Sequence, residues 1–199
     1  ARALKQRNAL LKANGRPAEL EVWEQELADS GEAITRSRES YIGRWQAVFE
    51  PEAAALAPAI GAYGLDLQPG WKRDELPLAD ALLLSRPRDL QAGFTSVGPH
   101  RADVRMGWTG LPGREALSRG QAKLSALALL LSQGRLHAEV ADDWPVIALD
   151  DLASELDGQH QTRVVERLAA TGAQVFVTGT EAPAALAALY RPSVQPYLI

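Results

Sequence analysis

Two groups of polar residues in the second half of the sequence have the types and the order that chemistry on a nucleoside triphosphate requires. The first is the run Leu117-Ser118-Arg119-Gly120-Gln121, which precedes an apolar helical pattern. The second is the pair Asp150 and Asp151, which follows the apolar run 146–149. A helix start that binds phosphate and a strand end whose carboxylates hold Mg²⁺ are the two kinds of group that such chemistry needs.

The run at Ser118 predicts a phosphate-binding helix start. The first N–H groups of a helix have no partner within it, and together with the helix dipole they attract anions. Gly120 lets a phosphate approach the backbone, and Arg119 adds a forked cationic donor. Ser118 and Gln121 also have the spacing of a simple capping box. A plain cap does not require Arg and Gly in the first turn, and Gly there lowers helix stability by about 1 kcal/mol relative to Ala. We therefore favour the phosphate site.

The Asp pair ends a predicted buried strand. Adjacent carboxylates repel each other unless a cation or a proton-transfer task offsets the repulsion. The carboxyl ends of parallel strands are the usual ligand site of open α/β sheets. Asp150 can hold the hydration shell of Mg²⁺, and Asp151 can orient or deprotonate an attacking water. The alternative is an exposed acidic turn.

Three other segments carry polar residues, and each has an ordinary structural explanation when it is taken alone. Ser154-Glu155-Leu156-Asp157 predicts a loop and a helix cap. Thr178-Gly179-Thr180 ends the next predicted strand and places hydroxyl groups beside the Asp pair. Gly98–Arg101 predicts a tight turn, whose His100 is expected to be structural.

The elements that must position these groups follow from the spacing of apolar residues. The predicted helices cover residues 1–13, 18–49, 52–60, 78–84, 119–137 and 159–170, and the predicted strands cover 63–71, 94–97, 102–108, 146–149 and 174–177. From residue 119 onward helix and strand alternate, so the last two strands should pair in parallel through a right-handed crossover. Because both are continuously apolar, we expect a sheet covered on both faces.

The predicted organisation is an α/β chain with two parts. Residues 1–92 are expected to form a mainly helical lobe, whose first two helices make a hairpin arm that contacts DNA or a partner. Residues 93–199 are expected to form the α/β part that holds both candidate groups.

Composition narrows the class of protein. The 199 residues contain no cysteine, which excludes disulfides and thiolate metal sites and favours a cytoplasmic location. The longest apolar stretch, 124–131, is far shorter than the ~20 residues that a membrane span needs. No G-x-x-x-x-G-K-[ST] loop is present, so part of any triphosphate site is expected outside this chain. The chain begins with Ala inside a helical pattern, which suggests a fragment of a longer protein.

Charge is distributed unevenly along the chain. The net charge is −4, yet residues 1–17 contain five basic residues and no acid. Any contact with a polyanion is therefore expected from the first helix. The candidate DNA-binding residues are Arg2, Lys5, Lys12 and Arg16. The alternative is a helix face that is merely solvated.

These motifs, in this order, resemble the carboxy-terminal part of the RecF family of recombination-repair proteins, within the wider class of ABC-type and SMC-like head ATPases. Besides the two groups above, the resemblance rests on residues 3–12, 22–23, 98–103, 149–157 and 174–177. It implies the C-terminal half of an ABC-type head with a helical second lobe. The family's Walker A loop and Q-loop have no counterpart here, so the chain alone is not expected to bind ATP tightly or to hydrolyse it.

The resemblance also implies a role for each candidate residue. Ser118–Gln121 resemble the ABC signature, which contacts the γ-phosphate of ATP bound to the other protomer. Asp150 matches the Walker B aspartate that positions Mg²⁺, and Asp151 stands where most ABC ATPases carry a catalytic Glu. Ser154–Asp157 resemble the D-loop at the dimer interface. Thr178 lies near the position of the switch His of transporters, which is absent, so we expect slow hydrolysis.

The function implied by the resemblance is ATP-dependent dimerisation on DNA that has a gap or a single-strand/double-strand junction. It also implies a RecR-type mediator as partner and help in loading the RecA recombinase on single strands. ATP and Mg²⁺ are the implied cofactors.

Two other classes stay open. One is a Mg²⁺-dependent phosphodiesterase or phosphatase that uses Asp150 and Asp151. The other is an ATP-independent DNA-binding or scaffold module built on the helical arm. An ABC transporter subunit is disfavoured, since transporters carry Gly in place of Arg119 and Glu in place of Asp151.

Overall fold

A computed structural model of the protein describes residues 2–61, 63–108, 117–152, 156–179 and 184–188. The helices in chain order are α1 Arg2–Lys12, α2 Pro17–Leu56, α3 Leu78–Ala92, α4 Arg119–Ala141, α5 Gly158–Ala169 and α6 Ala184–Ala188. The strands are β1 Tyr63–Gln68, β2 Asp103–Trp108, β3 Ile147–Leu149 and β4 Val175–Val177, and short 3-10 turns cover Pro58–Ile60 and Pro99–Arg101.

The chain forms two compact units that are interleaved in sequence. The first unit comprises Ala1–Gly43 and Leu65–Met106, and the second comprises Arg44–Gly64 and Gly107–Ile199. The division differs from a single boundary at residue 92 because α2 and the strands β1 and β2 each run through both units. These two strands pair with each other in a two-stranded sheet.

In the first unit, α1 and the start of α2 form the expected antiparallel hairpin. Arg7 meets Glu24, whereas Ala3 belongs to the same buried cluster as Leu27. Trp71 and α3 complete this apolar cluster, in which Leu82 is fully buried. Burial of such side chains contributes about 25 cal/mol per Å² of apolar surface, which is the main force holding the hairpin against α3.

A fully buried arginine lies at the centre of the first unit. The Arg7 guanidinium donates to Glu24 Oε1 at 3.1 Å, to Asp89 Oδ2 at 2.8 Å and to Thr95 Oγ1 at 2.9 Å. Its side chain and that of Asp89 have no exposed surface. Arg86 also pairs with Glu24, so that two guanidinium groups balance the two carboxylates, and the contacts join α1, α2, α3 and the loop after α3.

The predicted strand over residues 94–97 is wrong, because this segment is a loop. The Thr95 N–H donates to Asn8 Oδ1 at 2.9 Å, and the Ser96 N–H donates to Asp89 Oδ1 at 3.2 Å. The Ser96 hydroxyl donates to the same Asp89 oxygen at 2.5 Å. Side chains from α1 and α3 therefore satisfy the backbone groups that a neighbouring strand would otherwise bind.

The predicted break before Pro51 is also wrong, since α2 continues through Pro51 to Leu56. Proline inside a helix removes one backbone hydrogen bond and lowers helix stability by about 3 kcal/mol. On both sides of it, Phe49, Ala53 and Leu56 are fully buried. Burial of this apolar face offsets the cost, so that the helix bears the proline instead of ending.

The last two strands pair as predicted, but among the described residues other elements do not pack on both faces of their sheet as the sequence suggested. β3 and β4 are parallel, with Ala148 opposite Phe176 and Leu149 opposite Val177. Ala148 is exposed, and Phe176 exposes 54% of its surface. The expectation of a sheet covered on both faces is therefore wrong for the described residues, because one face of this strand pair has no packing partner among them.

Two glycines allow the backbone to pass close to itself beside the turn at Pro99–Arg101. Gly70 has φ 91° and Gly98 has φ 122°, and the Gly98 N–H donates to the Gly70 carbonyl at 3.0 Å. A Cβ on Gly70 would lie 2.2 Å from the Gly98 carbonyl oxygen. Any larger residue at position 70 would therefore force these two segments apart.

In the described part of the chain, the helices are too short or too polar for any of them to cross a membrane.

Replacing Arg7 by Met should lower the free energy of unfolding by about 3–5 kcal/mol, because Asp89 would remain buried without its cation and Glu24 would keep only Arg86. Urea denaturation followed by circular dichroism measures the change. The matched control is Arg36→Met, at an exposed position of α2, where a loss within about 0.5 kcal/mol is expected. Equal losses in the two variants would show that the Arg7 cluster contributes nothing specific.

Candidate functional site

The start of α4 has the geometry of a helix cap that remains open to the outside. Ser118 is the N-cap residue, and its hydroxyl accepts from the Gln121 N–H at 3.2 Å. The Gln121 side-chain oxygen accepts from the Ser118 N–H at 2.8 Å. The capping box, which the sequence offered as the alternative to a phosphate site, is therefore present, and it fixes the direction in which the first turn of α4 points its backbone N–H groups.

Among the described residues, Gly120 has open space around the position that a Cβ would occupy. Apart from its own helix, no atom of the described residues lies within 4 Å of the position that a Cβ would occupy. Glycine in a helix costs about 1 kcal/mol relative to alanine, so the chain bears this cost without a steric benefit inside the described structure. The benefit is explained if another molecule approaches the backbone at Gly120.

A pocket of about 380 Å³ opens beside this helix start. Ser118, Gly120 and Gln121 form one wall. The turn at Pro58–Ile60 and the start of α5 form the others, so every wall belongs to the second unit. A pocket of this size accommodates part of a nucleotide, and two helix starts face it.

The start of α5 contributes a carboxylate and two basic side chains to the pocket. Asp157 caps α5 by accepting from the His160 N–H at 3.0 Å, and its second oxygen lies 2.6 Å from His160 Nδ1. The backbone N–H of His160 lowers the pKa of Asp157, so this carboxyl is charged at neutral pH. Arg163 lines the same pocket.

Sequence reasoning named Asp157 but missed His160 and Arg163. The signal was present, since these residues follow Asp157 at i+3 and i+6 and therefore lie on one face of α5. Arg119, which was expected to supply the cation, is exposed and does not line the pocket. Ser154 lies outside the described residues.

The second candidate group lies at the ends of the parallel strands. Asp150 follows β3, and its Oδ1 accepts a hydrogen bond from the Thr178 hydroxyl, which follows β4. The Thr178 N–H donates to the Leu149 carbonyl at 2.9 Å, which continues the strand ladder. The structure thus places Thr178 beside Asp150, as the sequence predicted.

Asp151 adopts an unusual backbone conformation, with φ 51°. Left-handed φ values are uncommon outside glycine, although Asp and Asn tolerate them best. The chain therefore leaves the extended conformation of β3 directly after Asp150. Strain of this kind, at a strand end beside a candidate site, is a reason to expect function there.

The two groups of residues lie on different faces of α4. The larger pocket contacts Gly120, Gln121 and Leu124, whereas a second pocket of about 180 Å³ contacts Ala126, Leu127 and Leu130 together with Asp150. At 3.6 residues per turn these faces are about 120° apart. The structure therefore joins Ser118 with Asp157 and Asp150 with Thr178, but it does not bring both groups into one cavity.

A buried carboxylate anchors both helices that carry the site. Glu52 of α2 is nearly fully buried and accepts from Arg167 Nε of α5 at 2.7 Å and from Arg135 of α4 at 3.5 Å. Its hydrogen bond raises the pKa of Arg167. Trp45 Nε1 also donates to the Ser132 hydroxyl of α4 at 2.7 Å. The end of α2 thereby fixes the positions of α4 and α5.

The residues at the strand ends suit Mg²⁺ better than a metal held by protein alone. No group of three acidic, histidine or cysteine side chains that could hold a metal occurs within the described residues. Mg²⁺ is usually bound through one or two carboxylates, several waters and the substrate phosphates. The exposed carboxylate of Asp150, fixed by the Thr178 hydroxyl, fits that pattern.

The candidate DNA-binding residues of α1 have different surroundings. Lys5 and Lys12 are exposed. Arg16 Nη2 lies 2.5 Å from Glu19 Oε1, so this cation is paired. The Arg2 guanidinium lies 5.9 Å from the centre of the Trp23 ring.

The sequence matches the family described as "RecF/RecN/SMC N terminal domain" over residues 1–190. The chain belongs to this family. The "DNA replication and repair protein RecF" of Stenotrophomonas maltophilia (strain R551-3) is 60% identical over 186 residues, which are 94% of this chain and 51% of that protein. The chain therefore spans about half the length of the curated relatives that it matches.

Solved structures of the family share the fold. A structure described as "the recombination mediator protein RecF-ATP in RecFOR pathway" has a TM-score of 0.72 at 27% identity, covering 91% of this chain and 51% of that one. An SMC head bound to the C-winged helix domain of ScpA has a TM-score of 0.50 at 15% identity, covering 92% of this chain and 48% of that one, and it shows the fold alone. The predicted fold class, half of an ABC-type head of the RecF and SMC kind, is confirmed.

Replacing Gly120 by Ala should raise the free energy of unfolding by about 0.5–1 kcal/mol, since the added methyl meets open space and alanine favours the helix. Thermal and urea denaturation measure the gain. Gly43→Ala is the matched control, because Gly43 also lies in a helix with open space around its Cβ position. A loss of stability in Gly120→Ala alone would show that the helix start is closed by the chain itself.

Proposed function

We propose that this chain is part of a RecF-type DNA repair protein that binds ATP between two protomers and uses ATP to dimerise on DNA. The observation that carries the proposal is the helix start at Gly120, which faces a pocket and has open space around its Cβ position among the described residues. Backbone N–H groups at such a position recognise phosphate without requiring a lysine loop. The similar structure described as RecF-ATP supports ATP as the ligand.

The separation of the two groups supports a site shared between protomers. Gly120 and Asp150 border different pockets on different faces of α4, and the described residues do not bring both into one pocket. In a dimer, the helix start of one protomer completes the site whose Asp150 belongs to the other. The glycine-rich lysine loop, which these 199 residues do not contain, comes in this proposal from the rest of the protein.

Each residue at the strand ends has a separate task in the proposed site. Asp150 holds the hydration shell of Mg²⁺, and the Thr178 hydroxyl fixes its orientation. Bound there, Mg²⁺ supplies charge that neutralises the phosphates. Asp151 orients the attacking water. Thr178 offers a hydroxyl where a histidine would offer a second base, so hydrolysis is slow and the bound state persists.

The partners of the proposed function come from the relatives and not from this chain's geometry. The names of the relatives refer to DNA replication and repair and to the RecFOR pathway. On that basis we infer DNA with a gap or a strand junction, a RecR-type mediator and assistance to RecA loading.

Replacing Ser118 by Arg in the full-length protein should reduce ATP-induced dimerisation at least tenfold, because the larger cation fills the pocket that receives the partner's nucleotide. ATP binding by the monomer should be unchanged. Sedimentation with and without ATP measures dimerisation, and titration with a fluorescent ATP analogue measures ATP binding by the monomer.

Ser37→Arg, at an exposed position of α2, is the matched control and should dimerise normally. If Ser118→Arg dimerises as well as the control, residues 118–121 do not contact nucleotide across an interface.

Replacing Asp151 by Asn should slow ATP turnover at least tenfold and prolong the ATP-bound dimer, since an amide does not take up a proton from water. Asn tolerates the left-handed backbone at this position, so the fold should be retained. A phosphate-release assay and the dimer dissociation rate are the two measurements.

Asp142→Asn is the matched control, because Asp142 is also a left-handed aspartate, with φ 57°. Unchanged turnover in Asp151→Asn would remove Asp151 from the mechanism. Metal-dependent cleavage of DNA without ATP would instead favour a phosphodiesterase.

A further inference from the structure

The first unit has a basic surface around the loop that follows α3. Residues 2–16 contain no acid, and the only acid in residues 85–102 is Asp89, which is fully buried against Arg7. The cations in these two segments therefore have no exposed carboxylate within their own segments, and the nearest exposed acid in sequence to Arg101 is Asp103. This is an uneven distribution in a chain whose net charge is −4.

An exposed aromatic ring lies in the middle of this surface. Phe94 leaves 44% of its surface exposed, and the Arg101 guanidinium lies over its ring at 5.4 Å from the centroid. A large apolar side chain that leaves nearly half of its surface in water contributes less to the core than a buried one. Both the ring and the planar guanidinium offer surfaces on which a flat molecule stacks.

Two further cations contact the loop that carries this ring. The Lys12 side chain lies beside Gly93, where a Cβ would be 3.4 Å from Lys12 Cγ. Arg88 Nη2 donates to the Ser96 hydroxyl at 2.5 Å, which places this guanidinium next to the loop. Lys12 and Arg88 therefore reach residues on both sides of Phe94 in sequence.

The loop is held in a fixed shape before any ligand arrives. Asn8 and Asp89 accept its backbone N–H groups, and His100 Nε2 lies 3.0 Å from the Thr95 carbonyl. Burial lowers the pKa of His100, so its ring is neutral at pH 7 and adds no charge to the surface. A preformed loop loses little conformational entropy when it binds.

We propose that Lys12, Phe94 and Arg101, with Arg88 at the border, form a binding surface for single-stranded DNA. Cations that follow a phosphate backbone, together with an aromatic side chain on which an unpaired base stacks, are the features that recognise a single strand. A duplex has its bases stacked on each other and offers only phosphates to such a surface. The surface rests on the proposed DNA-binding function and specifies the part of a gapped substrate that it contacts.

The surface differs from the one that the sequence suggested. Of the four residues expected on α1, only Lys12 belongs to it, because Arg16 pairs with Glu19 and Arg2 lies against Trp23. The other three members come from α3 and from the loop, 76 or more positions later in the chain.

The test is a fluorescence-anisotropy titration of the full-length protein with a labelled oligodeoxythymidine and with a duplex of the same length. Phe94→Leu keeps an apolar side chain but removes the ring, and it should weaken single-strand binding roughly tenfold. Its duplex affinity should stay within about twofold, since phosphate contacts are unchanged. Phe94→Trp should retain single-strand binding.

The basic residues have a separate readout. Lys12→Gln and Arg101→Gln should each weaken binding and lower the slope of log affinity against log salt by about 0.7 for the single strand. Arg36→Gln, an exposed arginine of α2 in the same unit, is the matched control and should leave both unchanged. Circular dichroism confirms that each variant is folded.

Each contrary result has a distinct meaning. Equal losses of single-strand and duplex affinity in Phe94→Leu would overturn the proposal, because a stacking role would then be absent. Variants that all behave like Arg36→Gln, while the unmodified protein binds DNA, would overturn this surface alone. If the unmodified protein binds neither DNA with ATP present, the proposed DNA function fails together with the surface.

Discussion

The first unit depends on the burial of one guanidinium between carboxylates. Arg7 lies on α1, its partners Glu24 and Asp89 lie on α2 and α3, and no water-exposed surface remains on Arg7 or Asp89. Removing such a charge from water is costly, and only paired geometry repays the cost. The arrangement therefore tolerates little displacement of the three helices. Through Asp89 and Thr95 it also shapes the loop that carries Phe94, so that a surface feature is positioned by a buried ion pair.

In the second unit a buried carboxylate is paired with arginines, whereas in the first unit a buried arginine is paired with carboxylates. Here one buried carboxylate, Glu52, accepts from Arg135 and Arg167 on the two helices that border the larger pocket. This explains why α2 continues past Pro51, since ending the helix there would displace Glu52. The apolar positions around it, including Phe49, are buried on the same stretch of helix. Glu52, which has no chemical role in the site, thus holds α4 and α5 against the end of α2.

The sequence predicted the features that depend on neighbouring residues and missed those that depend on distant ones. The start of α4 was foreseen because Ser118 and Gln121 are three positions apart. The strand assigned to residues 94–97 failed because Asn8, 87 positions earlier, binds the Thr95 N–H. The break at Pro51 failed for a similar reason, since burial outweighed local preference. Arg163 was missed because the helix spacing was considered for apolar residues and not for charged ones.

In the two proposals above, the candidate surfaces recognise phosphate by different physics, so we expect them to respond differently to salt. At Gly120 the donors are backbone N–H groups at a helix start beside a pocket, where solvent ions screen poorly. Around Phe94 the donors are flexible, exposed side chains, whose attraction to a polyanion falls steeply as counterions compete. Moderate salt therefore weakens DNA contact at the second surface before it weakens nucleotide contact at the first. Under the two proposals, we expect the full-length protein to retain ATP at salt concentrations that already release DNA.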